Sequence, residues 1–269
     1  MGNDSKPCRL GNLAKKFFNA LELAGCRQVV CCRRLEEASE TRDRIMQTAR
    51  RIFSEKGASA TVREICTEAK ANVSAVNYHF GNKEKLLAAV LEQYLDETIE
   101  VYPLLGRVEP TAPVEERFFG FILSCMSRLL LGQGDEDLGM NKLIIEAFAN
   151  NFEEFRPAAE RHWETLHDTV LPMVDELTGK KWNIDQLEKL SSGFFSQMFF
   201  YAMHQDELVL LRSGKHLSES DVAGIAQHIT ALSLGGMTHY SEYMDADMDF
   251  PNLFGIEHCT SCGKSSSVQ

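Results

Sequence analysis

Asn77, Tyr78, His79 and Phe80 stand in a row inside "KANVSAVNYHFGNKEKLL", residues 70 to 87, with Lys83 and Lys85 just beyond. Amides, a phenol, an imidazole and ammonium groups at this density offer two kinds of chemistry. One is proton transfer in a catalytic cluster. The other is contact with a nucleic acid, where small side chains allow close approach to the bases and polar flanks reach the phosphates. A second group, His162, Glu164, His167 and Asp168, mixes imidazoles and carboxylates of the kind that hold metals. A third, Cys259-x-x-Cys262 beside His258, offers a thiol or metal sensor. A metal site normally takes four ligands, and no second pair at suitable spacing accompanies the last group, so an exposed tail is its plain alternative. No HExxH, nucleophile elbow, phosphate loop or paired Cys motif supports an enzyme. The sequence therefore implies no catalytic residue, no cofactor and no metal.

The elements that position the first group are helices. "TRDRIMQTARRIFSEKG" sets Ile45, Ala49, Ile52 and Phe53 on one face, with Thr41 as a cap and Gly57 as a stop. In "TVREICTEA", Thr61 and Glu64 have the spacing of a capping box, and Val62, Ile65, Cys66 and Ala69 supply the apolar face. Asn72 can cap a third helix of about two turns that ends near Phe80, and Asn82 opens a fourth. A helix over 73–80 is too short to persist alone in water, so neighbours must pin it. At 100° per residue, Val76 and Phe80 point together with Val73 close by, while Ser74, Ala75 and Tyr78 point the opposite way. Asn77 and His79 lie on the flanks. One buried side and one exposed side of small residues and a ring suit a helix that enters a major groove. The free amides at the start of the fourth helix, with Lys83 and Lys85, form an anion site. The plain alternatives are that Tyr78 or His79 packs in the small core, that Arg63 is merely exposed and that Lys83 is solvated.

The charge balance agrees with a polyanion partner only when split along the chain. The 269 residues carry a net charge of −11. Residues 1–91 hold 16 Lys and Arg against 10 Asp and Glu, whereas the remainder holds 12 against 29. A cationic contact module joined to an acidic body fits, because the body is repelled by phosphates and stays off the duplex. No run of alternating apolar and polar residues suggests a strand, so the fold expected is all-α. No apolar stretch is long enough to span a bilayer, and "MGNDSKPCRL" lacks the apolar run of a secretory signal, so a cytoplasmic protein is expected. The eight cysteines, at 8, 26, 31, 32, 66, 125, 259 and 262, are irregularly spaced and read as free thiols.

From Thr41 to about Leu91, "IMQTARRIFSEKGASATVREICTEAKANVSAVNYHFGNKEKLL" resembles the DNA-binding domain of TetR-family transcriptional regulators. "VNYHFGNKE" is most similar to the branch with a CerR-type carboxy-terminal domain. The resemblance implies double-stranded DNA as partner and assigns roles by position. Thr61 matches the residue that caps the second helix and touches a phosphate. Arg63 matches a position that reaches a base, where arginine suits guanine. Val73, Ser74 and Ala75 match the base-facing start of the recognition helix, and Asn77, Tyr78, His79 and Lys83 match backbone-contacting positions. Lys70 replaces the usual turn glycine and must take a positive φ, at a steric cost. Asn77 replaces the usual tyrosine and weakens that phosphate contact.

Four segments follow: an extension over 1–40, the helix-turn-helix domain over 41–91, a helical effector-binding and dimerisation domain over 92–245, and a tail over 246–269. In the extension, Leu10, Leu13, Phe17, Leu21 and Ala24 have helical spacing, and Arg33 and Arg34 can form a minor-groove arm or a solvated linker. In the third segment five long helices are expected, one of them bent near Pro172, with Phe118, Ile122, Cys125 and Leu129 facing inward along the first. The resemblance implies that the last two form a homodimer interface, where Ser191, Ser192, Gly193, Ala231, Gly235 and Gly236 allow close approach. It also implies a small-molecule effector pocket, for which Trp163 and His167, four residues apart, are the lining candidates. Ordinary core packing is their plain alternative. A ligand-responsive repressor is the function expected, with a Cys259/Cys262 sensor as the rival.

Overall fold

The helix starts at Val62, Val73 and Lys83 each have a side chain that accepts from an amide left free there. The computed structural model describes Leu13, Lys16, residues 40–132 and residues 134–244. Over these the protein is all-α: ten α-helices and a short 3-10 turn, with no strand. They are α1 (Glu40–Lys56), α2 (Val62–Glu68), α3 (Val73–Phe80), α4 (Lys83–Val101), α5 (Val114–Leu130), α6 (Asp135–Ala149), α7 (Arg156–Leu177), α8 (Ile184–Met203), α9 (Gln205–Leu211) and α10 (Glu219–Met244). The expected caps of α2, α3 and α4 are all present. Thr61 and Glu64 close a reciprocal capping box, Asn72 accepts from the Ala75 amide at 2.7 Å, and Asn82 accepts from that of Lys85 at 2.8 Å. Thr41 is a correction. The helix already includes Glu40, so Thr41 lies within it and accepts from Arg44 Nη2 at 3.5 Å instead of capping.

Between α2 and α3 the chain makes a Schellman turn. The Ala71 amide donates to the Cys66 carbonyl at 2.9 Å and that of Lys70 to Thr67 at 3.4 Å, which places Lys70 at φ +49°. The steric cost foreseen for replacing glycine here is therefore incurred. At the next turn glycine is kept: Gly81, at φ +88°, lets α3 end at Phe80 and α4 begin at Lys83 after the Asn82 cap.

Helices α1–α4 share one core of Ile45, Ile52, Phe53, Ile65, Val76, Phe80, Leu86 and Leu91. This core does not close at residue 91. Met140, Leu143, Ile144 and Ala147 of α6, with Phe155 and Ala158 at the start of α7, complete it. Helix α6 meets α1 backbone to backbone: a Cβ added at Gly139 would lie 2.3 Å from the Ser54 carbonyl oxygen. The second core joins α5, α7, α8 and α10. Its centre is α5, buried on all sides from Phe118 to Arg128, as an apolar helix inside a bundle must be. Phe118, Ile122 and Cys125 face inward as expected, whereas Leu129 is only half-buried. Helix α7 continues through Pro172 without a break. Helix α9 and the first turn of α6 have no counterpart in the expected bundle. Residues 245–269, with Cys259 and Cys262, and Arg33 and Arg34 of the extension lie outside the described residues.

Candidate nucleic-acid interface

Helix α3 is held from one side only. Val76 is fully buried and Phe80 nearly so, and each removes roughly 1.5–3 kcal/mol of apolar exposure. The Arg42 guanidinium lies over the Phe80 ring at 5.3 Å. On the other side Ser74, Asn77 and Tyr78 are exposed, Tyr78 by 85%. Ala75 and His79 are half-buried. The core-packing alternative thus fails for Tyr78. His79 takes the intermediate position: its ring meets Tyr78 edge-on at 5.0 Å and Phe80 at 6.2 Å. Val73 departs from its expected place beside the buried pair; it is 49% exposed and joins the solvent-facing side.

The residues flanking α3 converge from two helix starts. Arg63, on the first turn of α2, is exposed and has no intramolecular partner among the described residues. Thr61 is committed within its capping box. Its amide and hydroxyl both donate to Glu64 Oε2, at 2.9 and 2.8 Å. Lys56 Nζ grips the other carboxylate oxygen at 2.6 Å. The Lys56 ammonium first, and the Thr61 amide and hydroxyl next, hold the Glu64 carboxyl at about 2, well below the usual carboxylate range. Glu64 thus stays ionised, and its charge is spent on holding the α2 start rather than facing a duplex unpaired. Lys83 begins α4 half-buried, its Nζ donating to the Ala58 carbonyl at 2.8 Å. The solvated alternative therefore fails for Lys83, and the side chain has a structural duty that the spacing did not reveal. It straps α4 to the turn before α2, keeping two ammonium hydrogens for an anion.

Lys83→Ala is accordingly expected to act twice. Binding to every duplex weakens alike, and the plot of log Kobs against log salt flattens by about one unit per subunit. The free energy of unfolding in urea also falls, by about 0.5–1 kcal/mol, the low end for a hydrogen bond from a partly solvated charge. Salt titrations of duplex binding, paired with denaturation, separate the two.

A second cluster, missed in the sequence, ties this unit to the body. Arg50 of α1 meets Glu97 of α4 at 2.6 Å and Glu136 and Asp137 of α6 at 2.7 and 2.8 Å. Its guanidinium covers the Tyr94 ring at 5.0 Å. The Tyr94 hydroxyl lies 2.8 Å from Asn141 Oδ1, and the Asn141 amide donates to the Leu131 carbonyl at 3.0 Å. Burial raises the Tyr94 phenol well above its ordinary range, so it remains a donor. The only sequence signal was an arginine on the inner side of an amphipathic helix.

In the body, Trp163 and His167 do meet, at 4.6 Å between ring centroids; His167 stacks on Phe195 and Trp163 meets the same ring at a tilt. Trp163 is 44% exposed, and His167 Nε2 is buried without a hydrogen-bond partner, so His167 is not a satisfied core histidine. Among the described residues no three of His, Cys, Asp and Glu converge as metal ligands, which includes the α7 group of His162, Glu164, His167 and Asp168. No helix among them is long and apolar enough to cross a membrane.

Residues 45–90 match the model of the bacterial regulatory proteins of the tetR family. The transcriptional dual regulator CecR of Shigella flexneri is 22% identical over 66% of this chain and 82% of its own length, so that likeness runs through the body. The transcriptional repressor NicS of Pseudomonas putida is 42% identical, over 22% of this chain and 28% of its own. A transcriptional regulator from Rhodococcus sp. Rha1 shares the fold, with a TM-score of 0.54 and 16% identity over 74% of this chain and 97% of that one. The helix presented beyond a small core and the two cationic helix starts beside it lie within the residues that match the tetR family of bacterial regulatory proteins, and over a longer stretch the chain is similar to DNA-binding transcriptional regulators.

Proposed function

We propose that the protein is a cytoplasmic, ligand-responsive repressor that binds a palindromic operator as a homodimer. The observation that carries the reading is the exposed side of α3, presented above buried Val76 and Phe80. In it Val73, Ser74 and Ala75 face base edges. Asn77, Tyr78, His79, Thr61 and Lys83 contact backbone, and Arg63 reads a base. Two copies about one helical turn apart, roughly 34–36 Å, read both halves of the site. Residues 41–91 are the reading unit and 92–245 the effector and dimerisation unit.

The dimer surface is supported by α8 and α10. Ser192, Gly193, Ser196, Phe200 and Met203 lie on one exposed side of α8, and Ala231, Leu232, Gly235 and Gly236 on one exposed side of α10. A Cβ added at Gly193, Gly235 or Gly236 would meet nothing within 4 Å. The stripe has room for a close neighbour, and Phe200, Met203 and Leu232 supply apolar area. Ser191 is a correction: it is fully buried, donating to the Leu187 carbonyl, and does not belong to the stripe. An effector in the body favours a helix arrangement that changes the spacing of the two reading units and releases DNA. Trp163 and His167 are the lining candidates. The coupling is reciprocal, so operator DNA weakens the effector by the same factor.

The test is selection of duplexes from a random pool, followed by salt titration of the enriched sequence. Enrichment of a palindrome with steeply salt-dependent affinity is expected. A protein that shows no salt-sensitive affinity for any duplex lacks this function.

A further inference from the structure

Among the described residues, Arg128 is a buried cation without an anion. It lies on α5, 6% exposed, at the heart of the second core. Its Nη2 donates to Cys125 Sγ at 3.0 Å, one turn earlier, and its Nη1 is buried with no hydrogen-bond partner. The ion pairs of the body, Arg117 with Glu176, Lys142 with Asp206, Arg161 with Glu92, Lys189 with Asp185 and Arg212 with Asp221, all leave it out.

Neither polar neighbour balances the charge. Burial pushes the Cys125 thiol up, against the pull of Arg128, so the sulfur is a neutral, weak acceptor. Burial and then the Arg128 charge lower His162, across on α7, to about 4, so it is neutral too. A lysine in this position can shed its proton; an arginine cannot. A charged group kept in an apolar interior is tolerated where an opposite charge meets it. Two other buried side-chain atoms of this core also lack partners, Ser127 Oγ beside Arg128 and His167 Nε2 on α7, which packs against α5.

We propose that the body binds an apolar monocarboxylate, its carboxylate seated on the Arg128 guanidinium and its tail among the rings of the surrounding core. The proposal rests on the effector-responsive reading above and names the chemical class of that effector. One guanidinium balances one negative charge, so a phosphate dianion carries one too many. Phe118, Phe121, Phe194 and Phe195 supply an aromatic and apolar setting, and Trp163, next to His162, reaches the surface.

The test uses the full-length protein, octanoate and 3-phenylpropionate as probes, and the methyl ester of each as the neutral match. Thermal shift and calorimetry read binding, and anisotropy on the selected operator duplex reads release. At least one acid is expected to raise the melting temperature and its ester not to. Arg128→Met, folded by circular dichroism, is expected to bind that acid roughly 10- to 150-fold more weakly, the loss of a hydrogen bond to a charged group. Arg128→Lys should retain part of the binding. Esters that bind as well as acids, an Arg128→Met variant that binds like the parent, or acids that do not bind at all each overturn the proposal. The acid and ester comparison on the parent holds even where the variant fails to fold. Acids that bind through Arg128 without releasing DNA leave the site standing and remove the effector reading. Neutral compounds alone releasing DNA do the reverse.

Discussion

Replacing Arg63 with alanine is expected to leave the fold intact and to damage operator binding more than any other single change in the reading unit. The side chain is exposed on the first turn of α2 with no partner among the described residues, so its loss should change the free energy of unfolding by less than about 0.5 kcal/mol. A bidentate contact from arginine to guanine contributes about 1–3 kcal/mol of discrimination. In a twofold dimer the substitution removes it from both half-sites, so the total loss is roughly 2–6 kcal/mol. Anisotropy against the selected duplex, and against duplexes altered at single base pairs, measures it. The loss should be concentrated at one base pair per half-site, where the variant no longer distinguishes the bases. Parental affinity in Arg63→Ala removes the base contact from this residue.

Arg50→Met should be the most damaging change to the structure itself. It removes the guanidinium that Glu97, Asp137 and Glu136 share, their side chains 14%, 23% and 42% exposed, and uncovers the Tyr94 ring. Removing one partner of a buried ion cluster costs about 3–5 kcal/mol; the openness of Glu136 brings the expectation here down to about 2–3 kcal/mol. Urea denaturation should show an earlier midpoint with an unchanged slope. A second substitution, Asp137→Asn, should recover part of the loss, since it relieves the repulsion the first one creates. Because α1 and α6 belong to different units, the same variant should also show a smaller release of DNA by effector. A stable Arg50→Met with normal release means that the cluster neither supports nor couples the two units.

The reading unit was largely legible because its signals are local. Thr61 with Glu64, Asn72 and Asn82 announce helix starts by residue type and spacing, and Val76 with Phe80 fixes which way a two-turn helix must face. The strained turn at Lys70 followed from the resemblance, which puts a glycine at that position. Val73 was misplaced because the helical angle sets it beside Val76 and Phe80, whereas only packing decides whether the core reaches the first residue of the helix. What could not be read was long-range. The Arg50 cluster spans 87 residues to Asp137, the Lys83 strap 25 residues to Ala58, and nothing in either neighbourhood names its partner. Arg128 had a signal, a charged residue inside the otherwise apolar "FILSCMSRLLL", but helical periodicity alone does not say whether such a residue is buried. Helix α9 is too short, at seven residues, for a periodic pattern to form.

The contact at Gly139 sets how the two units can move. There the Ser54 carbonyl rests against a residue with no side chain, and the two helix backbones touch directly. Arg50, bound to Glu136 and Asp137 of the same helix, holds α1 and α6 together by charge as well. Any bulkier residue at 139 should wedge α1 and α6 apart.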